Sequence, residues 1–447
     1  MIRIRDQLSE RGTPDVPELA ERVREMAHPL RDIEDLDPLL KRIGDARCVL
    51  LGEASHGTSE YYTWRARISQ RLIREKDVSF IAVEGDWPDC YEVNRYVKGY
   101  PNAGKSAREV LKAFDRWPTW MWANEEIVEL AEWLRRHNDR LPEQEKAGFY
   151  GLDVYSLWES MEAVIKYLER VDPEAVEAAR RAYKCFEPYG EDVREYARAT
   201  AFVPTSCEDE VVEMLSELRS RLPEYRDDPE SRFSAEQNAL VVRGAERYYR
   251  AMVRGGSSSW NVRDRHMVET LERLTRHHGP EAKAIVWEHN THIGDARYTD
   301  MADVGMVNVG QLVREQRGVE DVVLVGFGSH RGSIIAGAEW GAPMESMPVP
   351  PARKGSWEDI LRRTGEEDKL LVFVEAEDED GLLEPRAHRA IGVVYDPAYE
   401  RFGNYVPTVL PRRYDAFMYI DQTQALHPLH IYRREDGEAP ETFPSGA

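Results

Sequence analysis

Cysteine is scarce in this chain of 447 residues: Cys48, Cys90, Cys185 and Cys207 are widely scattered, and none forms a C-x-x-C pair. That excludes a disulfide framework or a zinc knuckle and makes a reducing cytoplasm the simplest compartment. Long apolar runs are missing too. No stretch approaches the ~20 residues of a membrane span, and the opening Met-Ile-Arg-Ile-Arg-Asp has no apolar leader segment. Basic residues are in the minority, with 60 Lys and Arg against 82 Asp and Glu for a net charge of -22. Nucleic acid and anionic membrane would both be repelled by such a surface, which leaves a small molecule as the expected partner. The serine-hydrolase elbow G-x-S-x-G is absent as well: Gly52-Glu-Ala-Ser55-His-Gly57 and Gly326-Phe-Gly-Ser329-His have the wrong glycine spacing. So is the H-E-x-x-H helix of zinc peptidases. Repeats and low-complexity tracts do not occur, and one chain isolates no surface from which to read an oligomeric state.

What is present centres on Arg47-Cys-Val-Leu-Leu-Gly-Glu-Ala-Ser-His-Gly57. The run Cys48–Leu51 is aliphatic without polar alternation, as in a strand buried on both faces. Gly52 follows, then Glu53 and His56. Thr58 or Ser59 can cap a helix carrying Tyr62, Arg65, Ile68 and Leu72 on helical spacing. In open α/β sheets ligands bind beyond the carboxyl ends of parallel strands, so chemistry is expected at this turn.

The pattern recurs. Val78–Val83 ends in Glu84, with Asp86 next; Ala147–Leu152 ends in Asp153; Ala284–Trp287 leads through Glu288 to His289, His292 and Asp295. Further strands are expected at Val322–Gly326, at Leu370–Glu375, and in one sheet with them at Arg389–Tyr395 and Phe417–Asp421. Residues 1–45 read as amphipathic helix broken at Pro17 and Pro29, the last dozen residues as a frayed tail, and Trp117, Trp120 and Trp122 cluster at a Pro118 break. Between Ser156 and His278 strand signals vanish and Glu/Arg/Ala-rich helices take over, the last predicted at Asn261–His277 with Arg263, Asp264 and Arg265 at its entrance. The Gly255-Gly-Ser-Ser-Ser stretch before it reads as a flexible linker. The expected fold is therefore α/β: a mostly parallel central sheet flanked by helices, with a large helical insertion walling a deep cleft. Its divisions are 1–155 (first part of the α/β core), 156–280 (insertion) and 281–447 (second part).

Any one acid after a strand could be a helix N-cap. Four strands ending alike would crowd Glu53, His56, Glu84, Asp153, His289 and His292 along one edge. Carboxylates and imidazoles so gathered shift each other's pKa values, which is how a base near neutrality is made. Asp86, Asp153, Arg263 and Asp295 are the candidate substrate ligands. Trp158, Tyr248, Tyr249 and Trp260 fit either a pocket wall or ordinary core. His56, His289 and His292 with Glu84 would suffice for a divalent metal such as zinc, so a metal-dependent hydrolase stays open beside a hydrolase needing no cofactor.

Several stretches in order resemble the erythromycin esterase family: Gly52-Glu-Ala-Ser-His-Gly-Thr-Ser-Glu60, Val83-Glu-Gly-Asp86, Trp287-Glu-His-Asn-Thr-His-Ile-Gly-Asp-Ala-Arg297, Asn308-Val-Gly-Gln-Leu312, Gly326-Phe-Gly-Ser-His-Arg-Gly-Ser333 and Arg389-Ala-Ile-Gly-Val-Val-Tyr395. The resemblance covers nearly the whole chain. It implies ester or macrolactone hydrolysis, an activity tied to macrolide resistance, without a covalent serine intermediate. It puts the general base on His56 and the other functional positions on Glu53, Arg65, Glu84, His289 and His292. The family is more distantly similar to Tiki-type metalloproteases and a haem-binding lipoprotein, so a non-catalytic binder of haem or another apolar small molecule is the alternative from another class.

Overall fold

The computed structural model describes residues 16–189, 207–224, 229–254, 256–373 and 381–430. Residues 1–15, Gly255, Glu375 and the C-terminal tail, about which the sequence raised expectations, lie outside them.

The buried aliphatic runs do form strands. The main sheet contains β1 (Ala27–Pro29), β2 (Cys48–Leu51), β3 (Phe80–Val83), β4 (Gly148–Gly151), β5 (Ala284–Trp287), β6 (Val322–Gly337), β7 (Met344–Val349), β8 (Lys369–Val372) and β11 (Ala416–Thr423). Its order is β1-β8-β11-β6-β2-β5-β3-β4, with β7 paired to β6. From β11 to β4 every neighbouring pair is parallel, while β8 is antiparallel to both β11 and β1 and β7 is antiparallel to β6. Strands β2 to β5 have no exposed residue, because helices cover both faces. One face packs Val49, Leu51, Ile81, Val83, Ile285 and Trp287 against the helix Ser59–Lys76; the other packs Leu50, Ala82 and Val286 against Met267, Leu271 and Leu274.

Adjacent strands β2 and β5 pair in register from Cys48↔Ala284 to Leu51↔Trp287. The chain leaves β5 toward β6 on one side, and the neighbouring β3 toward β4 on the other. The connections diverge between β5 and β3, the switch-point arrangement at whose carboxyl edge ligands bind. Glu84 and the turn bearing His289/His292 flank it, with the Glu53/His56 turn on the far side of β5.

Beyond β4 the described chain is helical up to His278: Leu157–Val171, Val176–Tyr183, Glu208–Arg221, Pro229–Arg254 and Ser258–His278, with a core of their own around Val164, Leu215 and Leu240.

Four expectations are corrected. The serines after Gly256 are not a linker: Ser257 precedes the helix Ser258–His278 without a side-chain cap bond, and Ser258 and Ser259 open its first turn, so the entrance lies one turn before Arg263. Arg389–Tyr395 is not a strand of the main sheet. Strand β9 (Arg386–Arg389) pairs only with β10 (Tyr405–Thr408), and beyond it Ile391 and Val394 make single bridges. Pro29 does not merely break a helix; it ends the edge strand β1, where its missing N–H is tolerated. Cys185 and Cys207 are joined in a disulfide with Cα atoms 5.8 Å apart, while Cys48 and Cys90 are free and buried. None of the described helices is long and apolar enough to cross a membrane.

Candidate active site

The strand ends meet. After β2, Gly52 turns the chain so tightly that a Cβ there would run into the side-chain oxygen of Asn290. Glu53 and His56 follow, both buried. Glu53 Oε1 accepts from His56 Nδ1 at 2.9 Å, and its other oxygen accepts from Arg65 Nη2 at 2.7 Å. The Arg65 guanidinium lies over the rings of Tyr62 and Trp287, at 4.4 and 4.7 Å. Arg65 thus sits beside Glu53, sealed from solvent, and braces the acid through Nη2, while its Nε and Nη1 are buried without a partner.

Glu84 and Asp153, after β3 and β4, converge on a residue from the helical segment. Arg263 donates through Nε and Nη2 to Asp153 at 3.0 and 2.7 Å, and through Nη2 to Glu84 at 2.7 Å. Burial alone would raise Glu84, but the charges of His292, Arg263 and His56 outweigh it and hold this carboxyl far below its ordinary range. Its second oxygen accepts from the backbone N–H of His289 at 2.8 Å. Glu84 therefore bridges β3, β5 and the helix Ser258–His278 through buried contacts.

The His289-x-x-His292 turn supplies the two remaining rings. His292 Nδ1 stands 3.0 Å from both oxygens of Asp264, its Nε2 lies 3.1 Å from Arg263 Nη1, and its ring stacks on Trp260 at 4.3 Å. His289 caps its own short helix: Nδ1 accepts from the Thr291 N–H at 3.3 Å and lies 2.8 Å from the Thr291 hydroxyl. Burial, helped by His56, pushes His289 well below the ordinary imidazole value, so the ring is neutral. With Nδ1 accepting, its proton sits on Nε2, a buried donor that bonds to no side chain, while the Ala54 backbone interacts with the ring and partly opposes the lowering. The His56 and His289 rings are 4.9 Å apart.

Of the candidate substrate ligands, Asp153 and Arg263 belong to this network but satisfy each other. Asp86 pairs with Arg116, and one of its oxygens is buried without a partner. Asp295 is tied to Arg297 and Arg314, a pairing that extends to Asp415. Of the four candidate aromatics, Trp260 joins the site, while Tyr248, Tyr249 and Trp158 pack into the helical core. The expectations above give no site role to Asp264 and Asn290. Asp264 was visible as an acid at a helix entrance, and Asn290 as the residue after His289.

The set His56, His289, His292 and Glu84 does not fit a metal ion. Among the described residues no three His, Cys, Asp or Glu converge as ligands. The guanidinium of Arg263 lies against both His292 Nε2 and Glu84 Oε1, putting a fixed positive charge where a dication would need those atoms.

Comparison with known proteins bears on the fold and the family. The model of the family described as erythromycin esterase matches residues 73–423. An erythromycin esterase type II from Escherichia coli is 22% identical over 367 residues, covering 77% of this chain and 85% of that protein. The crystal structure of a succinoglycan biosynthesis protein superposes with a TM-score of 0.76 at 22% identity, over 93% of this chain and 100% of the other. A mutant erythromycin esterase in its open conformation gives 0.66 at 16% identity, over 89% and 97%. The chain belongs to the erythromycin esterase family.

Proposed function

We propose that the protein hydrolyses an ester or a lactone by direct attack of water, with His56 as general base. The observation that carries this reading is the close pair of rings: His56, anchored at Nδ1 by Glu53, and neutral His289, whose buried Nε2–H is bonded to no side chain. With Nδ1–H given to Glu53, the basic nitrogen of His56 is Nε2. It takes a proton from water as the water oxygen bonds to the ester carbon. The carbonyl oxygen gains the negative charge and accepts from His289, with His292 beside it. Collapse breaks the carbon–oxygen bond, and His56 returns its proton to the leaving alkoxide, giving an acid and an alcohol. Positioned base catalysis is worth ~10²–10⁴-fold, and donors preorganised for the oxyanion ~10²–10³-fold each. Arg65 acts through Glu53, and Arg263 and Asp264 hold Glu84 and His292. The helices between 156 and 280 form the wall of the cleft in this reading, which needs no metal, and a macrolactone ring is within the substrate class.

The test is to incubate the purified protein with erythromycin and a panel of simple esters and lactones, following each by mass spectrometry for the gain of one water, with and without chelator. Turnover that persists in chelator is expected for at least one member. His56→Asn should lower kcat by at least ~10²-fold and still melt cooperatively. An active, folded His56→Asn variant would sink the assignment, and activity lost to chelator would move the protein to a metal-dependent mechanism.

A further inference from the structure

A second buried acid–imidazole pair adjoins the site through Asn290, and the proposed reaction does not use it. Glu358, in the helix Trp357–Arg363, accepts from His388 Nδ1 at 2.6 Å and from the Arg389 N–H at 2.9 Å. Both side chains are completely sealed from solvent. Burial holds His388 below the ordinary imidazole value even though Glu358 pulls the other way, so the ring is neutral. With Nδ1–H given to the carboxylate, Nε2 is an acceptor, and Asn290 Nδ2 lies 3.2 Å from it.

Phe327 fixes the orientation of the Asn290 amide, and His388 Nε2 accepts from the N–H turned toward it. The amide's other N–H donates to the carbonyl of Phe327 at 2.6 Å, and its oxygen accepts from the Phe327 N–H at 3.2 Å. The side chain thereby pairs with β6 as a strand residue would. The main chain of Asn290 is tied as well: its N–H donates to the carbonyl of Glu53 at 2.8 Å, and its carbonyl accepts from Arg413 at 2.9 Å. A flipped amide would set oxygen against the Phe327 carbonyl and an N–H against its N–H, losing both bonds. A packing role alone would be met by any apolar side chain at 388. The arrangement seen requires an acceptor there.

We infer that His388, held by Glu358, is a positioning residue for the hydrolytic site. Acting through Asn290, it locks the turn bearing His289 and His292 against the turn bearing Glu53 and His56. This rests on the hydrolase reading above.

The test compares His388→Leu, which removes the acceptor, with His388→Gln, whose amide can donate to Glu358 and accept from Asn290. Two quantities are measured on the full chain: amide exchange by mass spectrometry in peptides covering 288–294 and 326–329, and kcat and KM on an ester the parent turns over. The Leu variant should exchange those peptides on the order of tenfold faster, with the helix Trp87–Lys98 unchanged. Its kcat should fall on the order of 10–100-fold with KM within about threefold, and Gln should recover most of both. A folded Leu variant with parental exchange, faster exchange with parental kcat, or a Gln variant as impaired as Leu would each overturn the proposal. If Leu does not fold, Glu358→Gln, which keeps the volume and weakens the hold on Nδ1, carries the same expected signs. If the parent hydrolyses no ester, the hydrolase reading fails on its own, and the exchange measurement alone upholds or overturns the tie between His388 and the turn.

Discussion

Glu288 is the residue the site environment perturbs with no compensating bond. It follows β5, is fully buried, and neither of its carboxyl oxygens has a hydrogen-bond partner. Burial first, then the nearby charges of Glu84 and Asp264, push it well above the ordinary carboxylate value. The folded chain therefore keeps a proton that the unfolded chain releases above about pH 4.3. Stability from this group is intact below that pH and drains at about 1.4 kcal/mol per pH unit as pH rises toward the folded value. Glu288→Gln removes the titration at nearly equal volume. Its melting temperature relative to the parent should climb as pH rises above about 4.3, up to the folded value of this group, whatever the offset at pH 4. Parallel curves for the two proteins would show that Glu288 is ionised in the fold. The neighbouring Glu84 shows why sequence spacing cannot separate such cases: both acids end a buried strand, but only Glu84 meets Arg263.

At the scale of elements, the strand ends were legible because parallel strands buried on both faces are unbroken apolar runs, and the first charged residue marks where each leaves the sheet. That logic found Glu53, Glu84, Asp153 and the two histidines after β5. It gave no way to find their partners, since Asp264 and His292 are 28 residues apart, Asn290 and His388 are 98, and Glu84 and Arg263 are 179. It also misread two segments. Ser258 and Ser259 lie inside the first turn of the helix Ser258–His278, where a run of serines after glycine reads as a linker, and this hid the start of the helix. Ile391 and Val393 are buried without belonging to a ladder, so an apolar run there looked like a strand. The turn after β2 offers the element-scale test. Gly52→Ala puts a methyl against the Asn290 side-chain oxygen and must displace the joint between the β2 and β5 turns. The expected destabilisation is about 1–3 kcal/mol, the usual range for overpacking, measured by urea unfolding, with a larger proportional loss in kcat than in KM. A variant with parental stability and activity would mean that the two turns can separate without consequence.

Across the whole molecule, Arg263, Asp264 and Trp260 reach the site from the helical segment, so the site needs that segment fixed on the sheet. Much of the fixing lies at Glu230, in the first turn of the helix Pro229–Arg254. Its carboxylate accepts from Asn94 at 2.8 Å, Tyr150 at 2.6 Å and Lys98 at 3.2 Å, and lies 3.1 Å from His277 Nε2. One side chain thus joins the start of one long helix, the end of the next, the helix Trp87–Lys98 and β4. Burial opposes its charge, but the bond from His277 and the charge of Lys98 prevail, and the carboxyl lies well below its ordinary value. The sign follows: a lowered carboxyl contributes stability that is fully present above about pH 4.3 and is lost as pH falls below it. Glu230→Gln leaves Lys98 buried without its counter-charge, a change that costs about 3–5 kcal/mol. At pH 7 the variant should therefore unfold at distinctly lower urea, and amides at the ends of both long helices should exchange faster. At pH 3.5 the unfolded parent has already taken up much of the proton at this site, so the gap between the proteins should narrow by on the order of 1 kcal/mol. A gap that is unchanged at low pH would mean that Glu230 holds the segment by shape and neutral hydrogen bonds, and that the charge on it contributes nothing.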